Sequence, residues 1–383
     1  MDEEQLIIIG NGFDVNSGLK SLYSQFIDFA LSDEKRDDIL SLHAENNFFF
    51  LLIDKLRFTY KDWCNIEDVI SKTLIILDNE FTSYDYFEKK QKNEWGDLYA
   101  SPCDFMLGRS RDYGSRAKET YPGTEFPNKL KEIILYEIAT NDIFKRKAID
   151  NPDVFFSLLK KEVLNFELLL GRYLRYITHS NSNYECKSKN LLKKLYTNNF
   201  EKNVLPAKIL SFNYTPIPDI TNSSHEILLT KNVHGSIENY NETTDLVIGV
   251  DRNQLSSNAT ISNSLTQFTK TYRTLKMHHD LNFIGSEAFI NKKIKVIKFF
   301  GHSLSLADYS YFQSVFDALD IYNNEIYIFF YYSNYDSVDR SVEQFDKVFQ
   351  LMEYYGKNMA NLNHGRNLLH KLELENRLSI TEI

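Results

Sequence analysis

A chain of 383 residues, with 43% hydrophobic residues, 25% charged residues and only 14 Gly and 7 Pro, has the composition of a folded globular protein and excludes a disordered tail or a collagen-like repeat. Its 44 Lys and Arg against 53 Asp and Glu give a net charge of -9, so the chain as a whole repels a phosphate backbone and general nucleic-acid binding is disfavoured. Cys64, Cys103 and Cys186 stand far apart, which leaves no zinc knuckle and no disulfide framework.

Acidic Asp2, Glu3 and Glu4 precede the first apolar run, the reverse of a signal peptide's basic start. No apolar stretch approaches the roughly 20 residues of a membrane span. A soluble protein of the reducing cytoplasm is expected. Gln5–Ile9 is a continuous β-branched run and reads as a first strand buried on both faces. A turn-rich glycine loop follows over residues 10–19, and then Tyr23–Leu31 carries apolar residues at helical spacing. From 33 to 200 the period is mostly helical, as in Ile66–Leu77 and Val154–Ile177, and predicts a helical insertion. Within it Tyr113–Asn128, with Gly114, Pro122, Gly123 and Pro127, reads as a surface connection or a lid.

Strand signals return at Ala207–Phe212, Glu226–Thr230, Asp245–Val250, Lys295–Phe300 and Ile326–Tyr331. Helical stretches at Ser264–Asp280, Ala307–Ile321 and Val338–Tyr355 separate the later strands, and Asn361–Arg377 reads as one more helix. The alternation predicts an α/β fold with a parallel sheet flanked by helices. Its core comprises residues 1–32 and 201–360, with an insertion at 33–200 and a C-terminal helix and tail at 361–383.

Ligands of open α/β sheets sit beyond the C-terminal ends of the strands. Gly10 and Gly12 suit a backbone that approaches a phosphate closely at the start of a helix, although Val15 stands where a third glycine completes the dinucleotide fingerprint, and a tight turn explains the pair equally. Polar groups gather at four more predicted strand ends: Ser211–Thr215, Asn232–Ser236, Asp251, and Gly301-His302-Ser303. Asp14 meets ribose hydroxyls or caps the next helix. Asp308 likewise holds a ligand hydroxyl or caps Tyr309–Leu319. His302 is placed in the pocket lining, and His278 and His279 on the surface. Phe13 fills space beside a ligand or packs beneath the loop. Trp63 and Glu67 either close over the pocket or pack as helix residues. Lys270 and Arg273 share a helical face that reaches an anion or lies in solvent, and Lys187, Lys189, Lys193 and Lys194 read as a solvated face.

Gly10-Asn11-Gly12-Phe13-Asp14, followed by Ser17-Gly18-Leu19 and Tyr23-Ser24-Gln25-Phe26, resembles the opening of the AbiH family of bacterial abortive-infection proteins. The similarity continues in Trp63–Glu67, Phe212-Asn213-Tyr214-Thr215, His234-Gly235-Ser236, and Phe300–Leu304 with Asp308, and covers nearly the whole chain. More distantly the same blocks resemble the sirtuin-like NAD-binding superfamily. That likeness implies a sirtuin-like Rossmann-type core and an antiphage effector that hydrolyses NAD to ADP-ribose and nicotinamide, with NAD as substrate and no required cofactor.

In the reaction so implied, Asn213 positions the ribose and the attacking water and His234 is the general base. Gly10, Asn11, Gly12, Phe13, Asp14, Gly235, Gly301, His302, Ser303 and Asp308 surround the nucleotide. Cleavage of an N-glycosidic bond passes through an oxocarbenium-like state, which asks for a held ribose, excluded water and a proton acceptor. An imidazole with an ordinary pKa of about 6.5 suits that task, and the leaving group demands no metal. The four-cysteine module of protein-deacetylating sirtuins is missing, which disfavours deacetylation. A nucleotide-binding sensor without turnover is the alternative. The Leu, Phe and Tyr residues of the insertion either form an interface to a second copy or a defence-system partner, or are buried within the chain, and the two readings stand equal.

Overall fold

The structure is a computed structural model that describes residues 3–32, 47–59, 66–91, 126–141, 144, 151–198, 204–239, 246–255, 263–278, 288–334 and 339–383. Among these, the chain forms β1 (Glu4–Ile9), α1 (Asn11–Asn16), α2 (Tyr23–Ser32), α3 (Phe48–Thr59), α4 (Ile66–Gln91), α5 (Phe126–Thr140), α6 (Pro152–Ser180) and α7 (Tyr184–Thr197). It continues with β2 (Ala207–Ser211), β3 (Ile227–Asn232), α8 (Arg252–Leu255), α9 (Asn263–Thr266), α10 (Lys270–His278) and β4 (Ile294–Phe300). The last elements are α11 (Tyr309–Leu319), β5 (Tyr327–Tyr332), α12 (Ser341–Asn358), α13 (Leu362–Leu374) and β6 (Leu378–Glu382). No helix among the described residues is long and apolar enough to cross a membrane.

Two compact units divide the chain, one of Met1–Leu22, Gly171–Val247 and Lys276–Ile383, the other of Tyr23–Leu170 and Ile248–Leu275. The first holds a six-stranded sheet in the order β3-β2-β1-β4-β5-β6, every pairing parallel. The order of succession reverses between β1 and β4. Because neighbouring side chains of a strand alternate between faces, Leu6 and Ile8 enter one core while Ile7 and Ile9 enter the other. The first core is closed by Phe312 and Phe316 of α11, Val348 and Met352 of α12, and Leu368 and Leu372 of α13. The second is closed by Leu192, Leu195 and Tyr196 of α7 and by Phe13 of α1. Leu6–Ile9 form the unbroken aliphatic run that a strand buried on both faces favours, while the buried Glu4 and Gln5 before them pair with Lys208 and with the carbonyls of Tyr196 and Leu205.

With Gln5, whose Nε2 donates to the Tyr196 carbonyl, Lys298 ties α7 to this sheet. Its fully buried ammonium donates to the carbonyls of Leu195, Tyr196 and Asn198 at 2.8, 3.1 and 2.7 Å. These are carbonyls at the end of a helix, which otherwise find no intrahelical donor. Burial pulls Lys298 down to about 7.

The second unit is helical. Phe26 of α2, Phe50 of α3 and Phe166 of α6 meet edge-on or tilted in one aromatic cluster, with ring centroids 4.6 to 5.4 Å apart. Asn47 caps α3 by accepting from the amides of Phe49 and Phe50. Lys270 and Arg273 do not form a solvated face: Lys270 pairs with Glu67 at 2.9 Å, and Arg273 forks onto the fully buried Glu167 at 2.5 and 2.7 Å. Burial raises the Glu167 pKa against the pull of Arg273.

Several elements differ from the sequence reading. Residues 11–16 form α1 rather than an open loop. Asp245 lies outside the described residues, and 246–249 belong to no strand; Val250 makes a single bridge to Thr269. The amides of this stretch go elsewhere, Val247 donating to the His234 carbonyl and Ile248 to the Glu167 carboxylate. Residues 378–382, read as tail, add β6 to the sheet. The helical signal at 264–280 breaks at residues 267–269 into α9 and α10. The α7 helix, read as part of the insertion, packs on the sheet because its apolar stripe fills the second core. Residues 113–125 of the candidate lid, Trp63 and His279 lie outside the described residues.

Replacing Lys298 with Met is expected to destabilise the protein by about 1–3 kcal/mol, because the Leu195 and Asn198 carbonyls lose the Lys298 donor while the Tyr196 carbonyl keeps Gln5 Nε2. Equilibrium urea unfolding measures it. An increase in stability would show that removing a buried charge outweighs those hydrogen bonds.

Candidate functional site at the C-terminal edge of the sheet

The ends of β1 and β4 meet through backbone alone. The amide of Gly10 donates to the Phe300 carbonyl at 3.0 Å, and that of Gly12 donates to the Gly301 carbonyl at 2.7 Å. A Cβ on Gly10 would stand 2.6 Å from the His302 Cα, and one on Gly12 2.7 Å from the Gly301 Cα. Gly301 also has φ +71°, a left-handed conformation that side chains disfavour. The close approach that Gly10 and Gly12 permit is thus made to Gly301. Phe13 packs beneath this seam, buried edge-on against Phe300 at 6.5 Å. Asn11 exchanges hydrogen bonds with Ser21.

Asp14 caps no helix. Its buried carboxylate accepts from the Tyr184 hydroxyl at 2.7 Å and the Thr215 hydroxyl at 2.8 Å, joining α1 to α7 and to the turn after β2. Burial pushes its pKa up from 3.8 to about 6, opposed by these hydroxyls and by the nearby Asn213 carboxamide.

The β2 turn is held from the other side as well. Asn232, at the end of β3, donates through Nδ2 to the carbonyls of Asn213 and Thr215 at 2.8 and 2.9 Å. The Asn213 amide donates to the Ser211 hydroxyl at 3.2 Å. Yet the Asn213 side chain, only 3% exposed, has neither Oδ1 nor Nδ2 in hydrogen-bond geometry. Buried amides are nearly always satisfied, so a clamped turn that carries one outside hydrogen-bond geometry, beside the Asp14 carboxylate, is uncommon.

Ser211 and Asn232 are paired across β2 and β3, so Asn213 and His234 each follow the paired residue by two positions. His234 Nε2 lies 3.0 Å from Asp308 Oδ1, and His302 Nε2 lies 3.4 Å from Asp308 Oδ2. Both imidazoles are enclosed by rings: Phe212 lies edge-on to His302 at 4.6 Å and to His234 at 5.7 Å, and Tyr311 to His234 at 5.8 Å. Asp308 precedes α11 without capping it. Gly235 turns the chain after β3 with φ +85°, and Ser303 is exposed after β4. Asp251 follows no strand and belongs to the helical unit, so the four predicted polar ends reduce to three. Among the described residues no group of three His, Cys, Asp or Glu side chains is disposed to hold a metal ion.

The family sequence model described as Bacteriophage abortive infection AbiH matches residues 6–332. The chain belongs to the AbiH family. No curated protein and no solved structure matches it. Family membership points to a role in abortive infection by bacteriophage, and the matched span includes every residue of this strand-end cluster. Sequence reasoning missed three positioning residues of this AbiH protein. Asn232 and Thr215 stand within the strand-end runs and carried that signal, whereas Tyr184, 170 residues from Asp14, carried none.

Two outcomes follow from this geometry. Gly301→Ala is expected to lower the thermal midpoint by several degrees, since a Cβ would stand 2.7 Å from the Gly12 carbonyl carbon in a left-handed conformation; an unchanged midpoint would mean that the seam opens freely. Because folded Asp14 binds its proton more tightly than the unfolded chain, its contribution to stability is full below pH 3.8 and is lost as pH rises through about 6. The change is worth about 3 kcal/mol. Chemical denaturation from pH 4 to pH 7 is expected to show that loss in the wild type relative to Asp14→Asn, and parallel curves would refute it.

Proposed function

We propose that this AbiH protein is an abortive-infection effector that hydrolyses NAD to ADP-ribose and nicotinamide on infection. The observation that carries the reading is the buried, unsatisfied carboxamide of Asn213 on a clamped turn beside the strand end that bears His234. A sheet ordered 3-2-1-4-5-6, with its reversal between β1 and β4, is the dinucleotide-binding arrangement of Rossmann-type folds. The resemblance of these strand-end blocks to the sirtuin-like superfamily supports the same substrate.

In this reading Asn213 holds the ribose and directs a water at its anomeric carbon. The water oxygen bonds to that carbon, the bond to the nicotinamide nitrogen breaks with its electron pair leaving on the ring, and His234 takes the water's proton. The carboxamide directs water without changing charge. Gly235, Gly301 and Ser303 border the nucleotide, whereas Phe13 and Asp14, buried and engaged within the protein, support the site from beneath. An unrestrained hydrolase of NAD kills its host, so the activity is held off until infection.

Purified protein incubated with NAD, and cells expressing it before and after phage infection, are expected to release nicotinamide and ADP-ribose. Asn213→Ala and His234→Ala, with folding intact, each lower the rate by about a hundredfold or more. NAD binding without product in both settings would instead identify a nucleotide sensor, and neither binding nor turnover would end the reading.

A further inference from the structure

Asp308 and His302 have roles within the cluster that the ligand-contact reading does not give them. The Leu304 amide donates to His302 Nδ1 at 2.9 Å, and an amide N–H can only donate. His302 Nδ1 is therefore an acceptor, and the ring's proton sits on Nε2, 3.4 Å from Asp308 Oδ2. The other carboxylate oxygen faces His234 Nε2. Both imidazoles are edge-on to Phe212, which restricts their rotation.

We infer that Asp308 is a positioning residue that sets the tautomer of His234, placing its proton on Nε2 and making Nδ1 the basic atom, and that His302 holds Asp308 in place through the opposite oxygen. Neither Asp308 nor His302 is then a ligand to the nucleotide: the Leu304 amide occupies Nδ1 of His302, and the two oxygens of Asp308 lie 3.0 and 3.4 Å from the two imidazoles. When His234 accepts a proton on Nδ1, the resulting imidazolium stands 3.0 Å from a carboxylate that stabilises it without moving. The kinetic consequence of this assignment rests on the hydrolytic reading, but the tautomer does not.

Asp308→Asn keeps the shape and reverses the logic. A carboxamide offers one acceptor and one donor to two N–H groups, so one ring must present a lone pair instead. The Leu304 amide prevents His302 from moving its proton to Nδ1, which leaves His234 to switch. Nitrogen-15 NMR of the imidazoles is expected to show both histidines protonated on Nε2 in the wild type, and His234 protonated on Nδ1 in Asp308→Asn, with His302 unchanged. Nicotinamide release by Asp308→Asn is expected to fall by about a hundredfold or more with little change in KM, as befits loss of a general base. Thermal melting of the variant controls for folding. A wild-type His234 protonated on Nδ1, or a His234 tautomer that ignores Asp308→Asn, would overturn the inference even if NAD is hydrolysed. The expected tautomers without any turnover would leave it standing and count against the hydrolytic reading alone.

Discussion

Where β1 and β4 run side by side, their C-terminal turns compete for one narrow space, and glycine on both sides is what lets the two backbones pass. Gly12 donates to the Gly301 carbonyl across that seam, and positions 10, 12 and 301 have no room for a Cβ. The consequence reaches every later residue of the site. With Gly301 fixed, His302 and the Leu304 amide are fixed, and Asp308 is presented to the end of β3. The glycines that look like a phosphate cradle in the sequence are thus used first to bring two strand ends of the protein itself together.

Around the seam, the polar groups form a frame of unequal stiffness. Asn232 and Asp14 hold the turn after β2 from opposite sides, and the cost of burying the Asp14 carboxylate is only partly offset by two hydroxyl donors. A frame of that kind positions the Asn213 side chain without satisfying it. Such preorganisation with one unsatisfied group suits a site that binds a polar ligand and spends little energy in rearranging. Lys298 serves the same end from below, since it pins the C-terminus of α7, the helix that supplies Tyr184.

The legible parts of the fold were those where burial dictates composition. β1, β2, β4 and β5 lie deep in a parallel sheet, and their aliphatic and aromatic runs follow from that. Apolar content misled at residues 246–249, because a stretch whose amides are taken by the His234 carbonyl and the Glu167 carboxylate is as apolar as a strand. It missed Leu378–Glu382, an edge strand only half-buried and too short to show its alternation. Lys270 and Arg273 share a face as their spacing requires, but the carboxylates they meet lie 203 and 106 positions away.

By itself the sequence determined the parallel α/β class, the helical character of the long middle segment and the family, because these rest on local periodicity and on contiguous motifs. It also brought Asn213, His234 and Asp308 to notice as residue types near strand ends. Only the tertiary structure decided what each does: that Asp14 is a buried acceptor, that Asp308 faces two imidazoles, and that the glycines serve a backbone crossing. Those assignments depend on pairings such as His234 with Asp308, 74 positions apart, and Asp14 with Thr215, 201 positions apart, and pairings at that range are fixed by sheet order and packing rather than by any local pattern.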